Sequence, residues 1–138
     1  MISKKCIYAL KAVLALARNT GGAPMAIHDI AKAEDIPPRF LEAILRDLKQ
    51  SGLTDSIRGK DGGYRLTLSP HEISIGRVVR AVEGPWFPAA DSSERDVFSS
   101  VWERADRALS DLLDQKNFQT LVVEQDALRG DKVINYSI

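Results

Sequence analysis

With 138 residues, 44% of them apolar, the chain can build one domain with a real core and little more than an appendage. Its formal charge is zero but unevenly spread: residues 1–86 hold 13 Lys and Arg against 9 Asp and Glu, and residues 87–138 hold 6 against 10, so the front suits an anionic partner and the back a different task. The single cysteine, Cys6, excludes an internal disulfide and a Cys-rich metal site and fits a reducing compartment. Without a secretory pattern or a run of about 18 apolar residues, the expectation is a soluble, cytoplasmic protein with no membrane role.

Lys5 to Arg18 (KCIYALKAVLALAR) is rich in Ala and Leu, lacks Gly and Pro, and ends at Asn19-Thr20-Gly21-Gly22, which predicts a first helix. Because it is apolar around most of its circumference, it needs cover on more than one side. Met25 to Ala33 (MAIHDIAKA) reads as a short helix with Ile27, Ile30 and Ala31 on one face, and Asp35-Ile36-Pro37-Pro38 then breaks the chain. Proline suits a first helical turn, so a new helix begins at this pair and runs through RFLEAILRDLKQ to the Ser51-Gly52 stop. Its spacing sends Phe40, Leu41, Ile44, Leu45 and Leu48 inward and Arg39, Glu42, Ala43, Arg46 and Lys49 outward. Two short helices about a tight break have the form of a helix-turn-helix, whose second helix is built to lie in a groove.

Next come Leu53 to Arg58 (LTDSIR) and Tyr64 to Leu68 (YRLTL), the latter alternating so that Tyr64, Leu66 and Leu68 face one way and Arg65 and Thr67 the other. Between them Asp61-Gly62 is a strong hairpin signal, and Gly59 and Gly63 permit positive φ. The stretch RGKDGGYRL is therefore the tip of a two-stranded wing. A phosphate-binding loop fails on spacing, since Gly52 lies seven positions before Gly59 and Asp61 follows Lys60 where Ser or Thr is required. A small, positive tip carrying Arg58, Lys60 and Arg65 suits a DNA backbone or minor groove; the plain alternative is a solvated hairpin.

A helix from about Ser74 to Glu83, with Ile75, Val78, Val79 and Val82 inward, closes the domain at Gly84-Pro85. Trp86 and Phe87, between Pro85 and Pro88, form an apolar knot that either packs or lines an effector site. From Glu94 to Gln115 a long helix is predicted, capped by Ser92 or Ser93, spanning roughly 33 Å and bearing the stripe Val97, Val101, Ala105, Ala108, Leu109 and Leu112. Little of its own domain remains to cover it, so a second copy is the economical partner; the alternative is a helix folded back on its own domain. FQTLVVEQ admits a helix turn and KVINYSI a strand, and neither stretch is assigned a structure or a role. Catalysis finds no support, as no nucleophile–base pair, carboxylate pair or metal constellation stands at usable spacing.

Four stretches together resemble the Rrf-two family of bacterial winged-helix transcription regulators, which includes iron–sulfur and nitric-oxide sensors and cluster-free regulators of cysteine metabolism. They are S-K-K-x-x-Y-A from Ser3 to Ala9, Phe40-Leu41-Glu42, the wing R-G-x-x-G-G-Y-x-L, and V-V-R-A-V-E-G-P from Val78 to Pro85. Trp102 matches the usual start of the dimerisation helix. The resemblance covers residues 1 to about 120 and implies a mainly α fold with a small β-hairpin wing. Residues 1–85 would be a winged helix-turn-helix DNA-binding domain, 86–93 a connector, and 94–138 a dimerisation helix and tail. It further implies a homodimer on a palindromic operator in double-stranded DNA, acting as a repressor. By the same resemblance Arg39, Phe40, Ala43, Arg58, Lys60, Gly62 and Arg65 contact DNA, Lys4, Lys5 and Tyr8 reach phosphates, and Arg46 and Lys49 read a guanine or neutralise phosphate.

Cluster-binding relatives carry three cysteines before the dimerisation helix, where this chain reads AADSSERDVFSS, so no iron–sulfur cluster, no metal and no other cofactor is expected. His28 reads as a helix-end polar residue and His71 as an idle turn residue. Cys6, beside Lys4 and Lys5, is either a redox-switch thiol with a depressed pKa or a small core filler. Two other readings stay open: a winged helix that docks proteins, and a Cys6-based redox-sensing regulator.

Overall fold

A computed structural model describes residues 2–19, 21–87 and 95–137. Six helices and one hairpin follow in the order α1 (Lys4–Arg18), α2 (Ile27–Glu34), α3 (Pro38–Gln50), β1 (Thr54–Ile57), β2 (Gly63–Leu66), α4 (Ile75–Glu83), α5 (Ser99–Asp114) and α6 (Phe118–Ser137). The fold is mainly α with a two-stranded wing, as the sequence predicts.

Helix α1 is the central post, contacting α2, α3, α4, α6 and the wing. Ala9, Ala12 and Val13 are fully buried, and their small size lets neighbouring helices approach closely. Ser3 caps α1 by accepting a hydrogen bond from the Cys6 amide at 3.1 Å. Leu41, Ile44, Leu45 and Leu48 of α3 are likewise fully buried. Phe40 departs from its inward assignment: it is 36% exposed. It sits in the first turn of α3, at the margin of the apolar stripe, where the core gives way to surface.

The bend between α2 and α3 is made by Asp35, in the left-handed region at φ 53°, and by Ile36, whose amide donates to the Ala31 carbonyl at 2.9 Å while its side chain plugs the core. Pro38 then opens α3 as its first residue. In the hairpin Thr54 pairs with Leu66 and Ile57 with Gly63, leaving a loop from Arg58 to Gly62. The turn runs from Gly59 to Gly62, closed by a 3.1 Å hydrogen bond, so Lys60 and Asp61 take its central positions and the Asp61-Gly62 pair does not. Gly62 is needed because a Cβ there would collide with the Ile57 carbonyl, and Gly63 because one would strike the Met25 carbonyl. Met25 and Tyr64 exchange two backbone hydrogen bonds of 2.8 Å, which fastens the wing to the start of the helix-turn-helix.

The C-terminal part differs from expectation. Helix α5 begins at Ser99, giving 16 residues and about 24 Å. Asp96 turns the chain just before it, accepting from the Phe98 amide at 2.9 Å while its own amide donates to Ser99 Oγ at 3.0 Å. Val97 consequently lies in this turn, and the expected Ser92/Ser93 cap and Glu94 start fall outside the described residues. The tail is no strand but α6, of 20 residues, started by Asn117, whose side chain accepts from the Thr120 amide at 2.9 Å. Phe118 inserts into the core shared by α1 and α3. Two backbone hydrogen bonds, Ile75 to Lys116 and Phe118 to Ile73, at 3.1 and 3.0 Å, tie the α5–α6 junction to the start of α4.

Candidate nucleic-acid interface

Helix α3 presents Arg39, Glu42, Ala43, Arg46 and Lys49 to solvent, because its three core leucines and one isoleucine occupy the opposite face. At its start the Phe40 ring packs on Tyr8 of α1, centroids 5.4 Å apart. Arg39 lies 5.0 Å from the Phe40 ring centre and Lys4 5.9 Å from that of Tyr8. Two cations and two aromatic rings from α1 and α3 therefore form one patch. At the other end of α3, Lys49 donates to Ser56 of β1 at 2.6 Å, which places the wing beside the same helix. Arg58 and Lys60 are exposed on the wing loop.

Among the described residues no carboxylate pairs with Lys4, Arg39, Arg46, Lys49, Arg58 or Lys60, whereas Lys5 is paired with Asp47 of α3, and Arg65 faces Asp55 across the hairpin at 3.9 Å. Lys5 thus brings little net charge to the surface. Arg65 also lines a groove of about 560 Å³ with Leu16, Asn19, Thr67 and Pro70, on the flank of the wing toward the end of α1. Gly62 contributes backbone alone. The partners Asp47 and Ser56 escape sequence reading because they meet Lys5 and Lys49 only through tertiary packing.

Cys6 is fully buried. Burial first, then the neighbouring Glu83 carboxylate, pushes its thiol from 9.0 up to about 11. The direction is opposite to the one a redox switch beside Lys4 and Lys5 requires, and burial fits the core-filler reading: Lys5 is engaged by Asp47, and the Glu83 carboxylate lies beside the thiol. Glu83 is itself held below the ordinary carboxylate range by hydrogen bonds from the Ser3 hydroxyl and amide.

Phe87 stacks on Trp102, with centroids 5.7 Å apart and planes 9° from parallel, and Trp102 on Phe98 at 6.4 Å, so an aromatic ladder joins the end of α4 to α5. The Trp86 indole N–H is buried without a hydrogen-bond partner. Of the apolar stripe on and before α5, Val97, Val101 and Leu112 are 81%, 50% and 60% exposed, Ala108 is exposed, and Ala105 and Leu109 are half-buried.

A helix-turn-helix whose second helix stands free beside a basic, glycine-tipped hairpin defines a winged helix-turn-helix protein of the DNA-binding regulator class. The chain belongs to the Rrf2 family, described as iron-dependent transcriptional regulators, whose model matches residues 2–124.

Among relatives, the regulator CymR of Bacillus subtilis is 32% identical over 121 residues, 87% of this chain and 88% of that one. An rrf2-like regulator of Rhodobacter capsulatus is 45% identical over 91 residues, which make up 64% of this chain and 61% of that protein. The solved structure of CymR, the global cysteine regulator of B. subtilis, superposes with a TM-score of 0.74 at 30% identity, covering 90% of this chain and 97% of that one. That of IscR from T. potens gives 0.71 at 30% identity, covering 92% and 88%. No enzyme family is indicated, and no helix among the described residues is long and apolar enough to cross a membrane.

The residues present do not fit an iron–sulfur group. The only thiol is the buried Cys6 of α1, and residues 86–98 offer neither Cys nor His.

Proposed function

We propose that the chain is a homodimeric, sequence-specific transcriptional repressor that works without an iron–sulfur cluster. The observation that carries the reading is the set of cations that have no carboxylate partner among the described residues on α1, α3 and the wing loop, while Lys5 and Arg65 are compensated. Unpaired exposed cations are free to displace the counterions of a phosphate backbone.

In this reading α3 enters the major groove of an operator half-site with Arg39, Phe40, Ala43 and Arg46 toward the bases. Lys4, Tyr8 and Lys49 meet phosphates, and Arg58, Lys60 and Gly62 bring the wing to the adjacent minor groove. The apolar stripe of Val101, Ala105, Ala108, Leu109 and Leu112, with Val97 before it, pairs with a second copy, which sets the two recognition helices one helical turn of DNA apart. The ladder of Phe87, Trp102 and Phe98, next to Trp86, joins the two parts. An effector bound there would change the angle between protomers and release both half-sites together.

The test is fluorescence anisotropy of the purified protein on the intergenic DNA upstream of its own gene against scrambled DNA, across a salt series. Preference for the native fragment by about a hundredfold or more, with affinity falling steeply as salt rises, is the expected result. Equal, weak binding to both fragments, or a flat salt response, would overturn it in favour of a winged helix that docks another protein.

A further inference from the structure

We infer that α6 is a working part of the DNA-reading unit, because it helps to hold Glu34 at the hinge of the helix-turn-helix; the inference rests on the DNA-binding function proposed above. Glu34 is the last residue of α2, immediately before the left-handed Asp35 and the Ile36 hydrogen bond that together set the direction in which α3 leaves. Its side chain is only 8% exposed. A carboxylate at a helix C-terminus opposes the helix dipole, and burial adds to the cost.

Two guanidiniums compensate it. Arg18, at the end of α1, lies 3.7 Å from one Glu34 oxygen, and Arg129 of α6 lies 3.8 Å from the other. Asp126, one turn earlier on α6, accepts a 2.9 Å hydrogen bond from Arg18. Four charges on three elements thus converge on one bend. They are poorly arranged for stability: both Glu34 contacts exceed hydrogen-bond length, and Glu34 Oε1 and Arg18 Nε are buried without a hydrogen-bond partner.

What the cluster supplies is position. It ties the α2–α3 bend to α6, which Phe118 anchors in the core and which continues directly from α5 with its proposed dimer face. Arg18 lies 14 residues beyond Lys4 along α1, roughly 20 Å from the cation–aromatic patch, so these side chains act on DNA through α3 and not by touching it. Glu34 and Arg129 are positioning residues.

The experiment uses the full chain with Glu34→Gln and, separately, Arg129→Gln. In free protein the Ile36 amide is expected to exchange about tenfold faster with solvent in both variants, while the Val13 amide, in the middle of α1, stays within about twofold of wild type. On DNA, the preference for the native fragment over scrambled sequence is expected to fall about tenfold with an unchanged salt slope. Ile36 exchange within about twofold of wild type would overturn the inference, and so would a loss of preference matched by equally faster Val13 exchange, since that is general destabilisation. Should the wild-type protein show no preference for the native fragment, the repressor reading falls, and Ile36 exchange alone then decides whether the clamp exists.

Discussion

Arg58 and Lys60 at the tip of the wing illustrate how far one side chain's chemistry can be followed. Both are exposed, and neither has a carboxylate partner among the described residues, so each can neutralise about one phosphate. Replacing either with Ala should weaken binding to native and scrambled DNA alike and lower the log–log salt slope by about 0.9 at most. An unchanged slope would remove the wing from the interface.

Cys6 gives an opposite lesson. Its neighbours in sequence, Lys4 and Lys5, leave an activated thiol open beside a small core filler, and burial with the Glu83 carboxylate favours the filler. A thiol with a raised folded-state pKa supports the fold fully below pH 9.0, and that support is lost as pH rises toward about 11. Iodoacetamide at pH 8 should therefore label native protein at least about a hundredfold more slowly than unfolded protein. Rapid stoichiometric labelling of the native state would restore the redox-sensor reading.

Between elements, the joint of α4 with α5 is made by Asp114, which accepts from Ser74 Oγ at 2.8 Å and from Arg80 at 3.0 Å. The backbone of α4 comes close enough that a Cβ on Gly76 would collide with the Asp114 carboxylate. Partial burial opposes the ionised form of Asp114, but the hydrogen bonds from Arg80 and Ser74 outweigh it and hold the carboxyl below its ordinary 3.8. A lowered folded-state pKa contributes stability above that ordinary value and loses it as pH falls further. The melting-temperature difference between wild type and Asp114→Asn should accordingly be largest near neutral pH and shrink below about pH 3.8. Both side chains are about 40% exposed, so the effect is about 1 kcal/mol at most. A difference that is constant with pH would show that the charge plays no part in the joint.

For the whole molecule, the proposed dimer rests on the exposed apolar face of α5. Changing Val101 and Leu112 together to Glu should weaken self-association by about a hundredfold in analytical ultracentrifugation while leaving the far-ultraviolet spectrum intact, because two charges from each protomer would be desolvated in a matched interface. Unchanged association would move the dimer contact elsewhere.

The helix-turn-helix and the wing were legible as elements, because local signals carry them: the Pro37-Pro38 pair, the Ser51-Gly52 stop, the period of Leu41, Ile44, Leu45 and Leu48, and the glycines of the tip. The outward facing of Arg39, Glu42, Ala43, Arg46 and Lys49 on α3 and the place of Arg58 and Lys60 in a hairpin loop were legible for the same reason, since both follow from spacing; their role at DNA came from the family resemblance. What spacing could not reveal was which cations are already neutralised, as Asp47 reaches Lys5 from 42 positions away, or that Phe40 would lie on the surface. Nor could it place the α5 start at Ser99, turn the tail into α6, or bring Arg129 to Glu34. By itself the sequence determined the elements whose stability is local and the surface those elements present. The tertiary structure alone decided which charges remain free, how the thiol is poised and what braces the hinge, because each depends on groups that become neighbours only when the chain has folded.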